Sequence, residues 1–98
     1  MRNYELVFIA QPGLDEEGLN GLVSRVQQVM LDHGGQVLSV EQMGRRKLAY
    51  PIKKQREGTY VLVHVGLEQV AIAELERSLK LSEDVLRYML VLSDEVAP

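Results

Sequence analysis

The sequence predicts an α+β domain made of two strand-helix-strand halves, and three observations predict it. Two stretches, Leu19 to Met30 and Ala71 to Leu79, repeat apolar residues every three or four positions, the period of a helix with one buried face. Four others are rich in β-favouring residues and bounded by Gly, Pro or polar turn residues. The length of 98 residues, 46% hydrophobic and 26% charged, suits one core that buries roughly two-thirds of the unfolded chain's surface, so residues 1–98 are read as a single domain.

The elements follow in order. Tyr4 to Ala10 is a strand, ended by Gln11-Pro12-Gly13. A helix starts behind Asp15 as N-cap: Leu14 and Leu19 flank it at hydrophobic-staple spacing, and Glu16 and Glu17 set negative charge on the positive end of the helix dipole. Its stripe is Leu19, Leu22, Val23, Val26, Val29 and Met30, and Gly34-Gly35 stops it. Val37 to about Ile52 reads as a long second strand, with Pro51 marking a sheet edge or the strand's end. Lys53 to Gly58 is a polar connection, from which Thr59 to Leu67 returns antiparallel as a hairpin. A second helix runs from about Gln69 to Lys80 on Ala71, Ile72, Leu75 and Leu79, and Val85 to Leu92 is the last strand. Ser93 to Pro98 is expected to be a loosely held tail. The order βαββαβ is that of the ferredoxin-like fold, a four-stranded antiparallel sheet with both helices on one face, the second strand at an edge.

Alternation divides the strands between two faces. Leu6, Phe8 and Ala10 point one way, while Asn3, Glu5, Val7 and Ile9 point the other, away from the helices. Tyr60, Leu62 and His64 of the third strand and Arg87, Met89 and Val91 of the fourth join that second set. Val7, Ile9, Tyr60, Leu62, Met89 and Val91 are therefore expected to form an uncovered apolar patch, the signature of a partner-binding surface.

Charge is unevenly spread. The formal net charge is −3, yet six of the eleven Lys and Arg residues lie between Gln42 and Arg56 with no Asp or Glu among them; subtracting that +6 leaves −9 on the other 83 residues. A basic strip on an acidic body binds phosphate locally while the remainder repels polyanion. Charge on an edge strand also discourages unwanted strand pairing, which is the plainer explanation of the same residues.

Catalysis finds little support. With no Cys there is no disulfide, thiolate metal site or Cys nucleophile, and nothing requires an oxidising compartment. His33 and His64 lie in no recognisable motif, and Asp15, Glu16 and Glu17 are accounted for as a helix start. Phosphate loops and dinucleotide fingerprints are missing. No cofactor or metal is expected, and the chain is not read as an enzyme. The start of the chain runs almost at once into strand sequence, so no signal peptide is expected, and no apolar run approaches a membrane span, so a cytoplasmic location is expected.

Nucleic acid is the stronger class. An RNA recognition motif would place stacking aromatics on the third strand, but Glu57-Gly58-Thr59-Tyr60-Val61-Leu62 has an acid where that pattern has a base and lacks two of its aromatics. The basic edge points instead to backbone contacts with a structured RNA, Arg45, Arg46 and Lys47 gripping phosphates and Tyr50 packing or hydrogen-bonding beside them.

The run Gly44-Arg45-Arg46-Lys47-Leu48-Ala49-Tyr50-Pro51-Ile52, with Tyr4-Glu5 in the first strand and Arg87 in the last, resembles the bacterial small-subunit ribosomal protein S-six family across essentially the whole chain. The resemblance implies a noncatalytic structural protein of the small ribosomal subunit, with a ferredoxin-like fold, that binds the central domain of the small-subunit (16S) ribosomal RNA together with its neighbour, ribosomal protein S-eighteen. It implies RNA contact by Arg45, Arg46, Lys47 and Tyr50; Arg2, Lys53, Lys54, Arg56 and Arg87 follow on charge and location. A basic neighbour would account for the acidic body and the uncovered patch. Some members carry a long charged C-terminal extension, whereas this sequence stops at Pro98. Two other classes share the fold. A small-molecule regulatory or protein-interaction domain would need a ligand pocket, and an acylphosphatase-like enzyme would need an Arg in the loop after the first strand, where Gln11-Pro12-Gly13-Leu14 supplies none.

Overall fold

The computed structural model describes residues 1–93. The elements run β1 (Arg2–Ala10), α1 (Glu16–Asp32), β2 (Gln36–Ile52), β3 (Gln55–Leu67), α2 (Gln69–Leu81) and β4 (Val85–Leu92). The four strands form one antiparallel sheet in the order β2-β3-β1-β4, so β2 and β4 are its two edges. This is the ferredoxin-like arrangement that the element order predicts.

Helix α1 forms where its cap and stripe place it. Asp15 Oδ1 accepts from the Gly18 amide at 2.7 Å, and Leu22, Val23, Val26 and Met30 are buried. At the other end the Gly35 amide donates to the Met30 carbonyl at 2.8 Å and the Gly34 amide to Leu31 at 3.1 Å, with Gly34 at φ 81°. That is the Schellman pattern, which satisfies carbonyls the helix leaves free. The His33 ring also caps this end, with Nδ1 2.8 Å from the Val29 carbonyl. Helix α2 buries Ala71, Leu75 and Leu79 but has no side-chain cap; Glu68, at its N-cap position, instead pairs with the N-terminal ammonium at 3.1 Å.

The core lies between the helices and one sheet face. Leu6, Phe8, Ala10, Val61, Val63 and Val65 are all 0% exposed, so the alternation read on β1 is the real one. Each large side chain buried here contributes about 1.5–3 kcal/mol relative to exposure. The opposite face carries aligned rows: Glu41, Leu62, Val7 and Met89 in one, Gly44, Tyr60, Ile9 and Arg87 in the next, and Ser39, His64, Glu5 and Val91 in a third.

Strand β2 departs from simple alternation, and the departures position the functional residues. Val37 pairs with Val65 and Ser39 with His64, so two residues advance on β2 for one on β3; the same happens between Gln42, opposite Val61, and Gly44, opposite Tyr60. Each extra residue swaps which face the following side chains take. Gly44 has φ 89° with no atom within 4 Å of where a Cβ would stand, so the backbone angle rather than space favours glycine there. Before this second bulge, Gln42 reaches helix α1 and donates to Asn20 Oδ1 at 3.0 Å. After it, Arg46 stands on the open face.

The hairpin connection is shorter than the sequence suggests. The loop is Lys53-Lys54 alone, with β3 starting at Gln55 rather than Thr59. Both lysines have positive φ, 49° and 68°, as in the two-residue turns that match strand twist, where Asn-Gly is the favoured pair. Two lysines carry no such turn signature, so the extra strand length was hidden in the sequence. Ser93, at the start of the expected tail, donates its amide to the Asn3 carbonyl at 2.9 Å. The rest of that tail, residues 94–98, lies outside the described residues.

Candidate nucleic-acid interface

Strand β1 ends at Ala10, opposite Thr59, so Gln55 to Gly58 of β3 have no partner on that side and the hairpin tip is free to bend. It folds across the end of β1 toward β4. A β-carbon at Gly58 would overlap Ile9 Cγ2 and stand 3.2 Å from the Ala10 carbonyl, so only glycine permits this approach. Leu48 to Pro51 have no residue-for-residue partners in β3, since Lys47 opposes Glu57 and Ile52 opposes Gln55. This slack arches over the sheet.

Two contacts hold the arch. The Arg87 guanidinium donates to the Tyr50 hydroxyl, and Lys53 Nζ donates to the Val85 carbonyl at 3.1 Å. On the other side of the arch the β1 exit turn is fixed to the start of β4: the Gln11 amide donates to the Asp84 carbonyl at 2.8 Å, and Gln11 Nε2 to Asp84 Oδ1 at 3.2 Å.

Beneath the arch lies a groove of about 310 Å³ whose lining includes Ile9, Leu48, Tyr50, Tyr60, Arg87 and Met89. Arg46 places its guanidinium over the Tyr60 ring, 5.9 Å from the centroid, within cation–π range. Four side chains from three strands, Arg46, Tyr50, Tyr60 and Arg87, thus meet at one end of the open face. Their common feature is planar cationic and aromatic surface, suited to phosphates and to flat rings.

The family model described as Ribosomal protein S6 matches residues 3–92. The chain belongs to the ribosomal protein S6 family. It is 44% identical over 97 residues to "Small ribosomal subunit protein bS6" of Moorella thermoacetica, covering 99% of both chains. To the protein of the same name from Exiguobacterium sp. it is 46% identical over 89 residues, 91% of this chain and 94% of the relative. The crystal structure of 30S ribosomal protein S6 from Thermotoga maritima superposes with a TM-score of 0.88 at 33% identity, covering 94% of this chain and 87% of that one. The C-terminal domain of the MgtC protein from Mycobacterium tuberculosis, at a TM-score of 0.66 and 10% identity, shares the fold alone. S6 relatives are structural ribosomal proteins, and the family is not enzymatic.

The basic residues expected from the sequence do not form one surface. Arg45 and Arg46 are neighbours and point to opposite sides of β2: Arg45 turns back to donate to the Pro12 carbonyl at 2.7 Å, while Arg46 joins Tyr60 on the open face. Lys47 lies opposite Glu57, an acid just beyond the basic window, so opposite charges face each other there. Lys53, Lys54 and Arg56 are exposed around the hairpin tip, and Arg87 joins them from β4. Arg2 stands apart: it opposes Leu67 at the far end of β1, eight residues or roughly 26 Å along the strand from Ala10.

Of the six apolar residues expected on the uncovered face, Val7, Leu62 and Tyr60 are partly exposed, and Met89 and Val91 are exposed at 58% and 42%. Ile9 is on that face but only 8% exposed. The hairpin of the same chain covers it, so it serves as the floor of the arch. Leu48 and Ile52 line the groove as well and were not singled out from the sequence. Their alternation on β2 was unreadable without the bulges.

Proposed function

We propose that this chain is a structural component of the small ribosomal subunit that binds the central domain of small-subunit ribosomal RNA together with ribosomal protein S-eighteen. Its place of work is then the ribosome in the cytoplasm. The observation that carries the reading is the convergence of Arg46, Arg87, Tyr50 and Tyr60 on one end of the open sheet face, with the exposed Lys53, Lys54 and Arg56 beside them, in a chain of the S6 family.

Binding works by surface complementarity. Cations on the hairpin displace counterions condensed on the RNA, so affinity depends steeply on salt. Arg45 and Lys47, on the other side of β2, make a second and weaker phosphate-facing row, and Arg2 at the distant end of the sheet reaches a separate part of the assembly. Leu62 and Val91, outside the arch, with Val7 and Met89 at the margin of the groove, offer the apolar ground for the protein neighbour, with the acidic body providing charge complementarity to a basic partner.

Filter-binding titration of central-domain ribosomal RNA, with and without S-eighteen at two salt concentrations, tests the proposal. Salt-sensitive binding that strengthens sharply when the neighbour is present is expected. No RNA binding in either mixture would return the chain to the protein-interaction or metabolite-sensing class.

A further inference from the structure

We propose that Tyr60, which lines the groove under the hairpin arch, and Arg46, whose guanidinium lies over the Tyr60 ring at the groove's edge, form a slot and take the base of one unpaired nucleotide between them. The inference rests on the RNA-binding reading above and adds what part of the RNA this surface selects.

The groove's volume of about 310 Å³ is at the lower end of the range for small-ligand sites. Its floor is apolar, from Ile9, Met89, Leu48 and Ile52, and no Asp or Glu lines it among the described residues. A duplex offers such a site only phosphates, whereas an unpaired nucleotide offers a flat apolar-faced base with a phosphate attached. Unpaired bases are held by stacking on aromatic rings or on arginine planes. Here the Arg46 guanidinium lies over the Tyr60 ring. The present separation of 5.9 Å is about 1 Å less than a base needs, since two stacked layers take roughly 7 Å. Arg46 is exposed and can move by that amount, giving up its contact with Tyr60 for one through the base. Arg87 spends one N–H on the Tyr50 hydroxyl and has four of its five donors left for the flanking phosphate.

A synthetic RNA hairpin carrying a single bulged 2-aminopurine, compared with the same hairpin fully paired, tests the slot on the full chain. The bulged RNA is expected to bind about tenfold more tightly, with its fluorescence quenched by stacking. Tyr60→Leu should abolish the preference and the quenching while leaving the salt dependence in place. Arg46→Lys should do likewise, because it retains the charge and loses the plane. Equal salt-sensitive binding of both hairpins by the unaltered protein, without quenching, would overturn the slot and leave the RNA-binding reading standing. Failure to bind either hairpin at low salt would overturn the slot, and failure to bind central-domain RNA with S-eighteen present as well would overturn both.

Discussion

Arg87 of β4 donates a hydrogen bond to the hydroxyl of Tyr50 in β2, joining the two edge strands of the sheet across the strands that separate them. The contact exists because β2 carries surplus backbone between Lys47 and Ile52 and because Gly58 lets the hairpin lie against Ile9. It fixes the arch over the groove that Tyr50 and Arg87 both line.

Tyr50→Phe removes this hydrogen bond while preserving the ring. Tyr50 is 56% exposed, so the cost in stability should be small, about 0.5–1.5 kcal/mol at most. The larger effect should be local: faster amide exchange at the hairpin tip, with exchange in the β1 and β3 core unchanged. Unchanged exchange at the tip would mean that the arch holds without this bond.

Gly58→Ala should be far more damaging, with a loss of about 1–3 kcal/mol by urea denaturation, because the new methyl overlaps Ile9 and crowds the Ala10 carbonyl. In the cycle with Ile9→Ala, the double variant Gly58→Ala/Ile9→Ala should lose less than the sum of the two single losses, because truncating Ile9 removes the overlap. A neutral Gly58→Ala would show that the hairpin does not rest on Ile9.

The fold was largely legible in the sequence because it depends on periodicities that survive local accidents. Leu22, Val26 and Met30 describe a helix face, and Leu6, Phe8 and Ala10 a strand face, whatever happens at the ends. The candidate site depended on just such accidents. Nothing in Val37 to Gly44 announces two bulges, yet they decide that Arg46 and not Arg45 stands on the open face beside Tyr60. Lys53-Lys54 gives no turn signal, because lysine rarely takes positive φ. Ile9 reads as exposed by alternation, and is covered by a hairpin whose bending comes from strand lengths that no single stretch records.

The turn itself offers a test of function against stability. Lys54 at φ 68° is strained relative to glycine, so Lys54→Gly should raise stability by roughly 0.5–1 kcal/mol after the entropy of the more flexible unfolded chain is counted. The same substitution should weaken RNA binding through loss of one cation. A variant that is both more stable and unchanged in binding would remove Lys54 from the interface.

On the apolar part of the open face outside the groove, Val91→Asn should leave folding nearly intact, because the side chain is already 42% exposed. Binding to RNA alone should change little, while the gain in RNA affinity from S-eighteen should fall. Retention of the full gain would place the protein neighbour elsewhere on this chain.

The most direct test of the account compares the salt dependence of central-domain RNA binding for the unaltered protein with that of the double variant Arg45→Ala/Arg46→Ala. The variant should fold, bind more weakly and lose on the order of one to two units of log-log salt slope, with Arg46→Ala alone producing the larger share of the change. An unchanged slope in the double variant would contradict the assignment of this edge to RNA.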